Sequence, residues 1–302
     1  MICVFDLTVE GTAEIISSSG GLGYGMAVDL SEDGSIEKVV ETCLEAEGSL
    51  DVLVCSAYTI PTDQKLRDNF WKQGMEMWYA VNDVCLRRVC NACYCATPHM
   101  IETAKNQNTT PFICLISSFG GKSYAFNVAY GVGKAAIDRL AKDLAFQLKD
   151  YNVATRSLYP GLVKTEAYVQ MEIDGIWDEA SGGLDLSTRE STLFSGNTVA
   201  ALASLNREKL MERSGEIEVV VELAKEIGFS EEDGSIPPSI RSLKYLLPNF
   251  VFPKIEKESG KPIPGWMKKN KFHTIRYHDQ YFLLVLHLLI KTILLQYFII
   301  SC

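Results

Sequence analysis

Ile116–Asp138 reads ISSFGGKSYAFNVAYGVGKAAID. It opens on the end of an apolar run, Pro111–Ser117 (PFICLIS), which predicts a buried strand. It closes inside Val128–Lys149, where Ala135, Ile137, Leu140, Leu144 and Ala145 recur at helical spacing. Tyr130 and Lys134 stand at i and i+4 of that helix, so both project from one face. A phenol titrates near ~10, and a neighbouring ammonium favours its charged form. Such a tyrosine can give or take a proton near neutral pH. Ser118 ends the strand, at the carboxyl edge where open α/β sheets bind ligands. A tyrosine and a lysine at this spacing are commonplace. The strand, the serine pair, the glycines and the Tyr-x-x-x-Lys together are not.

Working outward, Leu50–Tyr58 (LDVLVCSAY) and Val153–Tyr159 also read as buried parallel strands. Ser31–Glu47 reads as an amphipathic helix with Ile36, Val39, Val40 and Cys43 on one face. Phe70 to about Ala104 is helical with a break near Trp71–Gln73, and Thr8–Ser19 is weakly helical. Gly215–Val221 is a last strand, and Asp174–Leu202 a mobile region followed by a helix. Alternation of this kind predicts an α/β fold with a doubly wound parallel sheet. Gly20–Gly25 (GGLGYG) is not read as a phosphate loop: such a loop follows a strand and opens a helix. Here the glycines follow a helix and open a strand at Gly25–Leu30, closed by Asp29.

The chain of 302 residues carries a formal charge of −9, which gives no basic face for nucleic acid. Its nine cysteines are scattered and odd in number, so reduced thiols in the cytosol are expected. Met1–Glu10 lacks the basic start and long apolar core of a signal peptide. Cys90, Cys93, Cys95 and His99 lie close together, but cysteines on a helix are expected to pack as small apolar groups, and no metal is assigned.

Ile116–Ala136, with VLVCSAY upstream and LYPGLVKTE downstream, resembles the short-chain dehydrogenase/reductases; the likeness runs from about Thr8 to about Leu247. The resemblance implies a Rossmann-like sheet and an NAD(P)-dependent oxidoreductase of carbonyl reductase type, with NADP(H) expected ahead of NAD(H). Lipid, steroid or xenobiotic carbonyls are the substrate classes it implies. Tyr130 would be the proton donor or acceptor, Lys134 would tune it and hold the nicotinamide ribose, and Ser118 would orient the substrate oxygen. Asn82 is the candidate for the family's fourth catalytic residue, although Cys85 stands where a glycine usually follows. Asp29 would contact the adenine. Cys55-Ser56-Ala57-Tyr58 replaces the usual Asn-Asn-Ala-Gly, so Ala57 carries over through its backbone. Pro160, Gly161, Val163 and Thr165 match the loop that holds the nicotinamide carboxamide.

The family's first strand and its Thr-Gly-x-x-x-Gly-x-Gly loop have no counterpart in these residues, and an N-terminally incomplete domain over 1–230 is expected. Asp6 falls near the position that chooses between NAD and NADP but supports no choice. A second reading is therefore a catalytically impaired paralogue or isoform that acts as a binding or dimerisation partner. Residues 231–280 read as a proline-rich irregular arm and 281–302 as an apolar tail. Tyr281–Ile300 has about the length of one membrane span, roughly 20 residues, with Lys291 and Gln296 inside it. Lys268, Lys269, Lys271 and Arg276 upstream would keep the enzyme on the cytosolic side, with the endoplasmic reticulum the expected membrane. The alternatives are a helix on a membrane surface or on a partner subunit. A homodimer through the Tyr-Lys helix is implied by the resemblance.

Overall fold

The computed structural model describes residues 8–59, 68–181 and 184–263. Met1–Asp6 and Tyr281–Ile300 therefore lie outside the described residues. Helix α1 (Val9–Ser18) begins where the Thr8 side chain accepts the Gly11 N–H at 3.0 Å. It buries none of its side chains.

The strand expected at Gly25–Leu30 does not form among the described residues: the segment is irregular and ends in a turn at Leu30. A strand exists only where its amides find a neighbouring strand. Here the glycines run against α1 instead. A Cβ at Gly23 would collide with the Ala13 carbonyl, and one at Gly25 would stand 2.8 Å from the Val9 carbonyl.

Helix α2 (Ser35–Glu47) buries Ile36 and Val40 and ends on Gly48 at φ 72°, whose N–H caps Leu44 at 2.9 Å. Strand β1 (Val52–Cys55) follows. Helix α3 (Phe70–Asn82) is broken at Gly74, φ 74°, close to the expected break. A π-turn over Asp83–Arg87 leads into α4 (Arg88–Gln107). Strand β2 (Phe112–Ile116), helix α5 (Val128–Leu148) and strand β3 (Ala154–Tyr159) come next. Then follow β4 (Leu162–Lys164), α6 (Glu166–Ile173), α7 (Trp177–Ser181), β5 (Arg189–Ser191) and α8 (Thr192–Ala203). The last elements are α9 (Arg207–Glu212), β6 (Ile217–Val219), α10 (Val220–Ile227), α11 (Leu243–Leu246) and α12 (Phe252–Ser259).

The main sheet has the order β1-β2-β3-β6 and is parallel, with Val52 opposite Phe112 and Ser157 opposite Ile217. A separate pair joins β4 to β5 in parallel, with Val163 opposite Glu190. Buried parallel strands need apolar residues on both faces, and β2 supplies them. Strand β3 meets the same demand with a charge inside it. Arg156 is 1% exposed, and its Nη2 donates to the carbonyls of Lys209 and Leu210, both at 3.0 Å, near the end of α9. Among the described residues β1 is an edge strand, and its Val54 is 44% exposed.

By contact density the chain divides into two units. One holds residues up to 115 with 120–156 and 207–215, and the other holds 116–119, 157–206 and the chain from 216 onward. The first packs Val89, Cys93, Ala96 and Met100 of α4 against Ile113 and Leu115 of β2 and Ile137 and Ala141 of α5. The second gathers Tyr159, Leu162, Trp177, Val219, Ile240, Tyr245 and Leu246.

The arm expected to be irregular over 231–280 is irregular over 231–242 but not over the residues that follow. Residues 243–259 are helical through α11, a π-turn and α12, with Val251 and Ile255 fully buried. Pro248 and Pro253 stand at the junctions of this run, at the start of the π-turn and of α12, where the hydrogen-bond pattern changes and a missing N–H is tolerated.

Candidate functional site

Helix α5 starts at Asn127, whose side-chain oxygen accepts the Tyr130 N–H at 2.8 Å. The cap thereby fixes the turn that carries the tyrosine. Phe126, just before it, has φ 57°, a left-handed conformation costly for a bulky residue. That conformation brings the Phe126 ring edge-on to Tyr130, with centroids 5.2 Å apart. Tyr58, beyond β1, packs edge-on to Tyr130 from another side at 5.6 Å. Lys134, one turn on, is 8% exposed, with its Nζ 5.4 Å from the Tyr58 ring centroid and 5.9 Å from that of Tyr130. Burial holds the Lys134 ammonium below its usual range, against the opposing pull of Cys85 and Asp138.

Asn82 is brought to the same place. It ends α3 immediately before the π-turn, is 5% exposed, and donates from Nδ2 to the Ala129 carbonyl at 3.4 Å. Its Oδ1 is buried and accepts no hydrogen bond among the described residues. A Cβ at Gly133 would stand 2.6 Å from that oxygen, so only glycine admits Asn82 here. Cys85 is buried in the π-turn, and its thiol is pushed up by burial and eased by the Lys134 charge. Asn82, Tyr130 and Lys134 thus converge within the first unit.

Asp29 lines an open concavity of about 590 Å³ with Ala27, Val28, Leu30, Ser31, Thr59 and Val84. Its Oδ1 accepts the Ser31 N–H at 2.7 Å, and the Ser31 side chain and amide hold the carboxyl below its usual range. Arg88 on α4, 3% exposed, pins this loop by donating to the Ser31 carbonyl at 2.6 Å and pairing with Asp33 at 3.0 Å. Ala57 lies two residues beyond β1.

The remaining expected residues belong to the second unit. Ser118 follows β2 by two positions. Pro160 and Gly161 form the turn between β3 and β4, and Val163 lies within β4. Thr165 caps α6, accepting the Tyr168 N–H at 3.4 Å.

Two residues escaped sequence reasoning. Tyr58 stands where the family pattern has a glycine, yet its ring lies against both Tyr130 and Lys134. Glu190 sits in a stretch without periodicity, and its carboxyl lies against Gly161. The apolar strand-forming neighbours give no hint of the first, and only the pairing of β4 with β5 reveals the second.

A family model described as short chain dehydrogenase matches residues 2–174. The chain belongs to the short-chain dehydrogenase/reductase family of NAD(P)-dependent oxidoreductases. It is 32% identical over 252 residues to dehydrogenase/reductase SDR family member 1 of Mus musculus, across 80% of this chain and 77% of that protein. The protein of the same name from Homo sapiens is 32% identical over 249 residues with the same coverage. The fold is shared with 3-oxoacyl-[acyl-carrier protein] reductase from Brucella melitensis in complex with NAD. That structure gives a TM-score of 0.58 at 22% identity, over 70% of this chain and 81% of the other.

Proposed function

We propose that this chain interconverts carbonyl and alcohol groups of apolar small molecules, of the lipid, steroid or xenobiotic kind, with NADP(H) ahead of NAD(H). The reading rests on one observation above the others. Asn82, Tyr130 and Lys134 converge across α3 and α5, with Gly133 leaving room for the unsatisfied Asn82 oxygen. A nicotinamide cofactor, when bound, supplies or takes the hydride. The residues present suit it at two ends: Asp29 beside a concavity of ligand size, and the Lys134 ammonium beside Tyr130.

In reduction the Tyr130 phenol gives its proton to the substrate oxygen, and in oxidation the phenolate takes it back. The Lys134 charge stabilises that phenolate and holds the ribose hydroxyls. The Ser118 hydroxyl donates to the substrate oxygen and fixes its direction. Pro160, Gly161, Val163 and Thr165 hold the carboxamide, and Ala57 supports the adenosine side through its backbone. The reading of an impaired binding partner has no comparable observation behind it.

Titration of the purified full chain with NADPH and NADH, followed by cofactor fluorescence, tests this. Binding below millimolar concentration with NADPH tighter is expected; no binding by either cofactor sinks the proposal. Tyr130→Phe is then expected to abolish turnover and leave cofactor binding largely intact.

Pairing with a second copy through the Tyr-Lys helix rests on the family resemblance; Phe146 on that helix is 86% exposed. Light scattering of the wild type and of Phe146→Glu reads that state. Membrane association through Tyr281–Ile300, on the cytosolic face of the endoplasmic reticulum, rests on the sequence of that segment. Flotation with vesicles, with and without residues 281–302, tests it. Among the described residues no helix is long and apolar enough to cross a membrane.

A further inference from the structure

Glu190 is the middle residue of β5 and is 1% exposed. Its Oε1 accepts the Ser195 hydroxyl of α8 at 3.0 Å. Its Oε2 is buried and has no well-formed hydrogen bond among the described residues, although the Gly161 amide bears on the carboxyl. That second oxygen faces the Gly161 turn: a Cβ at Gly161 would stand 3.1 Å from it, with Ile240 behind at 3.8 Å. The Glu190 backbone pairs with Val163 of β4. One residue therefore touches the Pro160–Thr165 turn twice, through its strand pairing and through its carboxyl.

Among the described residues no cation is paired with this carboxyl. Arg189, next to it, is tied to Glu172 at 2.6 Å, and Arg241, next to Ile240, to Glu222 at 3.2 Å. Lys164, one residue past the paired Val163, is exposed. The other charge that bears on Glu190 is that of Glu231, which accepts the Ser191 N–H at 2.8 Å and hydroxyl at 2.6 Å. A buried carboxylate without a cation is costly, and an unsatisfied buried oxygen calls for a reason.

We propose that the Glu190 carboxyl is a positioning group for the Pro160–Thr165 turn and so sets how tightly this chain grips the nicotinamide end of its cofactor. The assignment of that turn rests on the proposed function above. Burial pushes the Glu190 carboxyl up to about 7, with the Glu231 charge adding to it and the Ser195 hydroxyl and Gly161 amide opposing. Burial is the largest of these, so the neutral acid is the form that fits the closed turn. Ionisation faces Glu231 with no counter-charge among the described residues, and opening of the β4–β5 pair to water relieves the burial cost against the pull of the Gly161 amide.

The test measures NADPH and NADH binding to the full chain by fluorescence from pH 6 to pH 8.5, with Glu190→Gln and Glu190→Ala alongside. Amide exchange protection at residues 161–163 is followed in the same samples. The wild type should lose about tenfold in affinity, together with protection at 161–163, as the pH rises through 7. Glu190→Gln, neutral and nearly isosteric, should keep tight binding and protection throughout. Glu190→Ala should be weak at every pH. A Gln variant with the wild-type pH profile overturns the proposal, as does an Ala variant that binds like wild type. Should the Ala variant fail to fold, the Gln comparison decides alone. If the wild type binds neither cofactor, the oxidoreductase reading fails, and the exchange profiles of wild type and Gln still decide whether Glu190 holds the turn.

Discussion

Two buried ionisable groups mark the two units, and they are housed differently. Lys134 lies between two tyrosine rings, with Cys85 and Asp138 supporting its charge. Glu190 lies against the Gly161 turn and the Ser195 hydroxyl, and the charge that bears on it among the described residues is another carboxylate, Glu231. Desolvation opposes charge at both sites, and the surroundings decide what remains. Around Lys134 they return part of what burial takes, as a site needs if it is to keep a usable cation. Around Glu190 the Ser195 hydroxyl and the Gly161 amide also return part of it, but the Glu231 charge works against them and burial prevails, as suits an acid kept neutral until the pH approaches 7.

The contrast fixes opposite pH dependences. The Lys134 pKa is lowered on folding, so below it the unfolded and folded chains both carry the charge and the cost of burying it is full. That cost is relieved as pH rises toward the unfolded value. The Glu190 pKa is raised to about 7, so its contribution is fully present below the unfolded carboxylate value and is lost as pH rises through 7.

The largest expected effect is at Lys134. Lys134→Met should lower turnover by roughly 10²–10⁴-fold, the usual weight of acid–base assistance. It should not lower the melting temperature at pH 7, because an apolar side chain of similar length removes a buried charge. Steady-state rates and thermal melts on one preparation check both halves. A variant that loses activity and melting temperature together would make Lys134 a structural cation and remove the contrast.

Next comes Glu190→Gln. Above pH 8 it should stabilise the chain by ~3 kcal/mol, the equivalent of the separation between a carboxylate near 4.5 and one near 7. At pH 5 the gain should shrink to about 1 kcal/mol. Denaturant midpoints at the two pH values measure it, and equal gains at both would show that packing, not charge, is responsible.

Much of the first unit was open to a reader of the sequence, and the reasons are local. Tyr130 and Lys134 lie one turn apart on a single helix, so spacing alone places them together. β2 announces itself as an apolar run because both faces are covered, whereas β3 is equally buried with Thr155, Arg156 and Ser157 inside it. The failed strand at Gly25–Leu30 shows where this stops: strand formation depends on a neighbour, and the glycines there serve packing on α1. Glu190 is harder still. A buried carboxylate has no period, and its contact with Gly161 spans a chain separation that only the pairing of β4 with β5 closes. Ser118 was legible from its place at the carboxyl end of a strand, whereas the candidate roles of Asp29 and Ala57 came from family likeness, since nothing in their spacing requires them.

Gly133 and Gly131 sharpen the first site by comparison within one helix. Alanine normally favours a helix over glycine by about 1 kcal/mol. At Gly131 the nearest atom to a new Cβ is the Gly120 carbonyl oxygen at 3.3 Å, so gain and crowding should nearly cancel. At Gly133 the Cβ would press on Asn82 Oδ1 at 2.6 Å, and Asn82 cannot yield without leaving Ala129. Gly133→Ala should therefore cost about 1–3 kcal/mol, as overpacked sites do, and lower turnover with it. Equal melting temperatures for the two variants would mean that Asn82 moves freely and is not held for a purpose.

The smallest effects separate a cap from a contact. Asn127 and Thr165 each open a helix, but the Asn127 bond to Tyr130 is 2.8 Å and the Thr165 bond to Tyr168 is 3.4 Å. Removing an N-cap costs about 1 kcal/mol when the bond is good. Asn127→Ala should show that full cost, whereas Thr165→Ala should show less than half of it. If Thr165 also touches the cofactor, its hydroxyl matters more to binding than to folding. Thr165→Ala should then weaken NADPH by a factor larger than its stability loss explains, while Thr165→Ser restores affinity. A Thr165→Ala variant with unchanged affinity would leave the hydroxyl as a weak cap alone and confine the cofactor contacts of this turn to its backbone.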